Sequence, residues 1–98
     1  MSYKVRVTTV KPANAAWFSD ANPAGHAAWA SWFKSLPGLL SVSKTKLNAN
    51  SIIRNYVFRD EAAYLEIKGL SSTNANSVAR IRHNESNGIT NTVELLGE

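Results

Sequence analysis

The spacing of apolar residues near the start of the chain predicts a β-strand. Tyr3–Val10 alternates between two faces, with Val5 and Val7 on one and Lys4 and Arg6 on the other. The run is rich in β-branched side chains, which favour a pleated backbone. After a connection that contains Trp17 and Phe18, the spacing changes to that of a helix.

The clearest helix lies between Asn22 and Gly38. Asn22 suits the N-cap because its side-chain oxygen can accept hydrogen bonds from free backbone amides, and Pro23 loses nothing at the first helical position. At about 100° per residue the bulky apolar side chains share one arc, and His26 lies inside it. The residues of that arc are Trp29, Trp32, Phe33 and Leu36. This pattern predicts a helix that packs on a core.

Two further strands follow this helix and form a predicted hairpin. Leu39–Leu47 and Ile52–Phe58 are separated by a short turn of Asn, Ala, Asn and Ser. Such residues tolerate unusual backbone dihedrals, so a tight reversal is expected there. On the strand Ile52–Phe58, alternation separates Ile53, Asn55 and Val57 from the remaining side chains.

The last third of the chain predicts two helical stretches and a closing strand. Asp60 is a suitable N-cap, and Gly69 is the expected end of the helix that it begins. Residues 72–87 permit a second, weakly amphipathic helix that Asn87 and Gly88 end. Ile89–Leu96 alternates again and predicts the fourth strand.

The predicted order is strand, helix, strand, strand, helix, strand. Right-handed crossovers then give an α+β, ferredoxin-like βαββαβ arrangement with a four-stranded antiparallel sheet. The 98 residues suffice for a single domain, residues 1–98, with one modest core. Helices cover one face of such a sheet, so the other face is either wet or covered by something else.

Composition narrows the chemistry more than it identifies it. The net charge of +4 mildly favours anionic partners, although the basic residues are spread along the chain. Cysteine is absent, which fits a cytoplasmic protein and rules out thiolate chemistry. No apolar run approaches the roughly 18 residues of a membrane span. The two histidines are far apart and have no metal-ligand spacing, and no phosphate-binding loop occurs, so no metal and no cofactor is predicted.

Two runs resemble the dimeric α/β-barrel superfamily of ferredoxin-like proteins. They are SLPGLLSVSKTKL, Ser35–Leu47, and YVFRDEAAYLEI, Tyr56–Ile67. In that superfamily Leu-Pro-Gly separates the first helix from the second strand, and two protomers pair sheet against sheet. Its members include small monooxygenases, haem-degrading enzymes, decarboxylases and proteins of no known activity. The resemblance therefore implies a homodimeric barrel and leaves the activity open.

The haem-degrading activity of that superfamily is not expected of this chain. The resemblance implies that members of that branch carry a set of one Asn, one Trp and one His. In this chain His83 is the residue available for the histidine. The helical angle of His83 places it away from the face that carries Val78 and Ile81. Val7 and Thr8 leave no asparagine on the first strand.

Alternation places polar residues among the expected core. If Val5 and Val7 face the helices, Asn55 and Asn91 lie on the same side as His26. Buried amides and imidazoles without partners cost about 1 to 3 kcal/mol each, so they either bond the backbone and one another or serve a ligand. We predict a site for a small, largely apolar molecule such as a fatty acid. Its predicted polar residues are His26, Asn55 and Asn91, and its predicted walls are Trp17, Phe18, Trp29, Trp32, Phe33 and Tyr64.

The opposite sheet face would carry basic residues beside aromatic ones. Packing of this face against a second copy would bury the aromatic residues, with charges pairing across the contact. The predicted homodimer interface consists of Arg6, Arg54, Tyr56, Phe58 and Glu94.

Two other functions fit parts of the sequence. The first is a cofactor-independent, monooxygenase-like enzyme, for which His26 is the available proton shuttle, although it has no obvious carboxylate partner. The second is a single-stranded nucleic-acid binder that stacks bases on the open sheet. RNYVFRDEAA has some likeness to an RNA-recognition strand, but its paired glycine is missing, and Tyr3 falls on the wrong side. The sequence therefore argues against nucleic acid and assigns no catalytic residue.

Overall fold

The predicted βαββαβ order is confirmed in the computed structural model, which describes residues 2–98. The region between the first and second strands contains two helices, and so does the region between the third and fourth strands. The elements are β1 (Tyr3–Val10), α1 (Phe18–Ala21), α2 (Pro23–Lys34), β2 (Leu39–Asn48), β3 (Ser51–Phe58), α3 (Glu61–Thr73), α4 (Ala75–Ser86) and β4 (Thr90–Gly97). The strands form one antiparallel sheet in the order β2-β3-β1-β4. The helices cover one face of this sheet.

The start and end of α2 follow from its sequence. Asn22 caps the helix, and its side-chain oxygen accepts a hydrogen bond of 2.9 Å from the Gly25 amide. The helix ends at Lys34, before Pro37 and Gly38. Gly38 has a φ of +91°, and a Cβ at this position would lie 2.8 Å from the Ala63 side chain. Glycine is thus required where the chain turns from α2 into the sheet.

Two helix predictions need correction. Gly69 does not end α3, which continues to Thr73, because the glycine lies on an exposed part of the helix and a single interior glycine costs only about 1 kcal/mol. The connection after β1, predicted as a loop, contains the short helix α1, which buries Phe18.

The predicted face of β3 is wrong. In the register of the sheet, Val5 lies opposite Tyr56 and Val7 lies opposite Arg54. Directly opposed residues of antiparallel strands share a face, so Tyr56 and Arg54 point toward the helices. Asn55 points to the open face, with Arg6 opposite it on β1 and Ser43 opposite it on β2.

The core beneath the helices is largely aromatic. Phe58 is 3% exposed and lies between Tyr56 and Tyr64, at ring-centroid distances of 6.0 and 5.3 Å. Trp29 and Phe33 pack at 5.3 Å, and Phe33 meets Tyr56 edge-on at 5.6 Å. The aromatic residues of α2 therefore dock on β3, as their arc predicted.

Candidate functional site

An apolar cavity lies between the sheet and the helices α3 and α4. Its volume is about 240 Å³. Strands β1, β3 and β4 supply its floor, and its edge is open beside β4. It is lined by Val5, Val7, Trp29, Phe33, Tyr56, Phe58, Tyr64, Ile67, Lys68, Ser71, Ser77, Arg80, Ile81, Asn91 and Val93. We call it the apolar cavity.

Few polar groups reach the apolar cavity, and two of them have unused hydrogen-bonding capacity. The Ser77 hydroxyl is buried and has no hydrogen-bond partner among the described residues. The Asn91 side-chain oxygen accepts a hydrogen bond of 2.6 Å from the Thr9 hydroxyl. That bond leaves the amide nitrogen of Asn91 as a donor beside the cavity. A small apolar body with a polar substituent would complement this lining.

A second cavity, of about 150 Å³, lies on the β2 side of the aromatic core. We call it the basic cavity, because His26, Lys44 and Arg54 line it together with Lys34. Three aromatic side chains border both cavities and so form the wall between them. These are Trp29, Phe33 and Tyr56.

Arg54 and Arg80 meet behind this wall in a narrow recess of about 20 Å³. Arg54 borders the recess and the basic cavity, whereas Arg80 borders the recess and the apolar cavity. The guanidinium of Arg80 lies over the Trp29 ring, 4.3 Å from its centroid. The recess therefore shares Arg80 with the lining of the apolar cavity, and Arg54 and His26 with the lining of the basic cavity.

Neither arginine has a carboxylate partner. The single salt bridge among residues 2–98 joins Arg59 to Asp60, on the surface. Burial and, secondly, repulsion by Arg54 lower the pKa of Arg80 to about 10. Burial raises the pKa of the Tyr56 phenol, while both arginines oppose that shift. Two positive charges and a phenol thus share a partly desolvated space.

His26 is neutral at physiological pH in this setting. Its pKa lies below the usual value of 6.5, first because of burial and then because of repulsion by Arg54, Lys44, Arg80 and Lys34. The ring packs beside Trp29 at 5.8 Å. Partial desolvation and Arg54 also lower the pKa of Lys44. A neutral imidazole beside several cations can accept a proton or a hydrogen bond.

Trp17 and Phe18 close the end of the recess. Phe18 is buried and lies 5.6 Å from the His83 ring. The ring nitrogen of Trp17 is buried and has no hydrogen-bond partner in the described part of the chain. The Nε2 atom of His83 lies 2.8 Å from the Ala16 carbonyl oxygen and so ties α4 to this segment.

The predicted site residues are divided among these spaces. Trp29, Phe33 and Tyr64 border the apolar cavity with Asn91, while His26 borders the basic cavity and the recess. His26 and Asn91 thus do not share one space, contrary to the prediction. Trp32 is partly buried at the edge of the core and borders none of the three cavities.

Asn55 does not belong to this site, because it lies on the open face of the sheet. There its side-chain oxygen accepts a hydrogen bond of 3.2 Å from Arg6. The predicted interface residues Arg54, Tyr56 and Phe58 are also misplaced, since they face the helices. Tyr56 and Phe58 therefore cannot stack bases on the open sheet.

No group of histidine, aspartate and glutamate side chains within residues 2–98 is placed to hold a metal ion. In the same residues, no helix has the length and apolar character needed to cross a membrane. The chemistry of the cavities comes from their aromatic, hydroxyl and cationic side chains.

No protein-family model and no curated protein matches the chain. Solved structures match it over nearly its whole length. SnoaB, a cofactor-independent oxygenase from Streptomyces nogalater, is 13% identical with a TM-score of 0.70, over 97% of this chain and 90% of that one. A dimeric ferredoxin-like protein from an uncultured marine organism is 20% identical with a TM-score of 0.62, over 98% and 96%. A protein of unknown function from Nitrosomonas europaea is 14% identical with a TM-score of 0.62, over 100% and 90%.

The chain has a ferredoxin-like fold, as these solved structures do. The fold implied by the resemblance in the Leu-Pro-Gly run is thereby confirmed, and Gly38 shows why glycine is needed in that run. At these identities the likeness shows the fold and leaves the activity open.

Sequence reasoning missed the residues that make the site of this ferredoxin-like protein basic. Alternation places Arg54 on the open face, and no pattern in the sequence places Arg80 or Lys44 at the site. A signal was present in the alternation of β3, since Tyr56 and Phe58 are better core residues than Asn55. Following that signal would have placed Arg54 under the helices as well.

Proposed function

We propose that this protein is a homodimer that binds a small, largely apolar molecule in the apolar cavity. The observation that carries this proposal is the cavity itself, about 240 Å³ of space walled by aromatic and aliphatic side chains. The unpartnered Ser77 hydroxyl supports it, because a buried polar group without a partner is costly unless a ligand satisfies it.

The dimensions of the cavity limit the ligand. Pockets for drug-sized ligands have volumes of about 300 to 1,000 Å³, and this one lies just below that range. A short fatty chain or a single aromatic ring with a short side chain would suit it better than a long lipid. The aromatic walls Trp29, Phe33 and Tyr56 favour a ring that can stack or meet them edge-on.

The homodimer would use the open face of the sheet. Arg6 and Glu94 lie opposite each other on this face, and Asn55 accepts a hydrogen bond from Arg6. Ile53 and Val57 contribute apolar side chains to the same face. The similar marine protein is dimeric, which supports this assembly.

Native mass spectrometry of the purified protein tests both parts of the proposal. We expect twice the chain mass and additional mass from a retained small molecule. A chain that stays monomeric at high concentration would refute the homodimer.

Ligand binding is tested by closing the cavity at its open edge. Val93 is half-exposed and borders the cavity, so Val93→Trp should fill it without disturbing the core. Leu96→Trp is the control, because Leu96 is similarly exposed on β4 and borders none of the cavities. Loss of retained ligand in Val93→Trp alone is expected. Equal retention by both variants would refute the site.

A second candidate is a cofactor-independent oxygenase whose substrate lies in the basic cavity beside His26. A neutral His26 beside cations could remove a proton while the cations stabilise the developing anion. The fold likeness to SnoaB motivates the test. Oxygen consumption with acidic phenols should then be lost in His26→Ala, and the absence of consumption by the parent protein with any of them would contradict this function.

A further inference from the structure

We propose that the ligand is a monocarboxylate, whose apolar body occupies the apolar cavity and whose carboxylate is held by Arg54 and Arg80 at the recess. This inference rests on the proposed function and adds the chemical class of the ligand. It is carried by two cations, the buried Arg54 and the half-buried Arg80, that border one recess with no counter-ion among the described residues.

Arg54 has an unusual position for an arginine. It is 8% exposed and points from the middle of β3 toward the helices, where Val7 is its neighbour on β1. Charged side chains are rarely buried unless they are paired. No salt bridge reaches it among residues 2–98. An anion from outside the chain would supply the missing partner.

Arg80 approaches the same recess from the opposite layer. It belongs to α4, and its guanidinium stacks on Trp29, which holds the planar group beside the wall of the apolar cavity. Two like charges facing one recess repel each other, so the arrangement becomes favourable when a negative charge lies between them. A guanidinium matches the two oxygens of a carboxylate in a planar fork, which favours this anion over a halide.

The side chains around the recess bring no negative charge to it. It is bordered by Thr9, Trp17, Phe18, Ser19, His26, Ile52, Arg54, Arg80 and Asn84, none of which is an acid. The unpartnered N–H of Trp17 can donate there. The Asp20 carboxylate attracts the charge of Lys44, but Asp20 borders none of the three cavities.

The size of the recess distinguishes a carboxylate from a bulkier anion. About 20 Å³ is close to the space that one water requires, which is about 10 to 15 Å³ by the same measure. Such a space admits the oxygens of a carboxylate, with the rest of the molecule extending past Arg80. A tetrahedral phosphate group would require the helices to move apart.

The test is a matched pair of ligands that differ in charge and not in shape. We would titrate the protein with 3-phenylpropanoate and 3-phenylpropanamide, and with octanoate and octanamide, and follow tryptophan fluorescence and calorimetry. Trp29 contacts both Arg80 and the cavity, so its emission should respond. We expect each acid to bind at least about tenfold more tightly than its amide, the usual effect of one charge-assisted hydrogen bond.

Variants assign the charge effect to the two arginines. Arg54→Met and Arg80→Met keep most of the side-chain volume and remove the charge, and each should weaken acid binding about tenfold with little change for the amide. Arg82→Met is the matched control, because Arg82 is exposed on the same helix and borders none of the cavities. If a Met variant fails to fold, Arg80→Gln provides the same comparison.

The outcomes separate this inference from the proposed function. Equal binding of acids and amides would overturn the carboxylate while leaving the apolar site intact. Preference for the acids that survives both arginine variants would also overturn it. Failure of all four compounds to bind would remove the apolar site and the carboxylate together, and tighter binding of inorganic phosphate than of the acids would assign the recess to another anion.

Discussion

The two ends of the layer between sheet and helices are built differently. At one end Tyr64 stacks on Tyr3 and meets Phe58 at an angle, with ring centroids 5.6 and 5.3 Å apart, and all three residues are buried. At the other end Arg54 and Arg80 face a recess without a counter-ion. The aromatic end contributes stability by burying apolar surface, whereas the basic end costs stability unless something binds there.

This difference indicates where function resides in the molecule. A chain selected for stability alone would place aliphatic side chains at the basic end, because an unpaired buried charge is expensive. Cations without partners and the unpartnered N–H of Trp17 occur together at that end. Residues that break the rules of core packing without local compensation are expected at functional sites.

The largest effect is expected at the aromatic end. Phe58→Ala removes a ring that is buried between Tyr56 and Tyr64, so the free energy of unfolding should fall by about 3 to 5 kcal/mol. Chemical denaturation at fixed protein concentration measures it, since dimerisation makes stability depend on concentration. Leu65→Ala, at an exposed position of α3, is the control and should cost much less. Equal losses would mean that Phe58 is not buried beneath the helices.

An effect of opposite sign is expected at the basic end. Arg54→Met and Arg80→Met should each raise the free energy of unfolding of the ligand-free protein, by up to about 2 kcal/mol for the buried Arg54 and by less for the half-buried Arg80, because each removes a charge without a carboxylate partner among the described residues. Arg82→Met should change it by less than about 0.5 kcal/mol. Thermal unfolding of ligand-free protein provides the measurement. Destabilisation by both Met variants would mean that the arginines are structural, and the contrast between the two ends would disappear.

A smaller gain in stability is expected from a substitution in the lining of the apolar cavity. Ser77→Ala removes a buried hydroxyl that has no partner among the described residues and should stabilise the ligand-free protein by up to about 1 kcal/mol. Ser71→Ala, in the same cavity lining, is the control and should have no such effect. Denaturant titration of the three proteins compares them. A loss in Ser77→Ala would show that its hydroxyl already has a partner in solution.

Much of the fold was predictable because local signals and tertiary packing agree. Asn22 caps α2, Asp60 caps α3 through the Ala63 amide, and Gly38 occupies a turn that admits no Cβ. These features depend on neighbours in the chain, which a sequence displays directly.

The candidate site was less predictable because it depends on strand register. Both faces of β3 carry large apolar side chains, so alternation alone could not identify the buried face. The expectation that arginine is exposed then favoured the wrong choice for Arg54. The pairing of Val7 with Arg54 decides the matter, and that pairing lies between residues far apart in sequence.

The smallest effect is expected on the pH dependence of stability, through His26. Its pKa is lowered in the folded protein by burial and by Arg54, Lys44, Arg80 and Lys34, while the unfolded chain has the ordinary value near 6.5. The unfolded state therefore binds the proton more readily, so stability should fall as the pH decreases through 6.5. NMR titration of the His26 ring measures the pKa directly, and His26→Gln should remove its share of the pH dependence. Addition of 3-phenylpropanoate should move the pKa upward, because an anion beside the two arginines offsets their repulsion of the imidazolium. A His26 pKa near 6.5 both with and without 3-phenylpropanoate would contradict this expectation. The basic end would then be hydrated and open, like an ordinary protein surface.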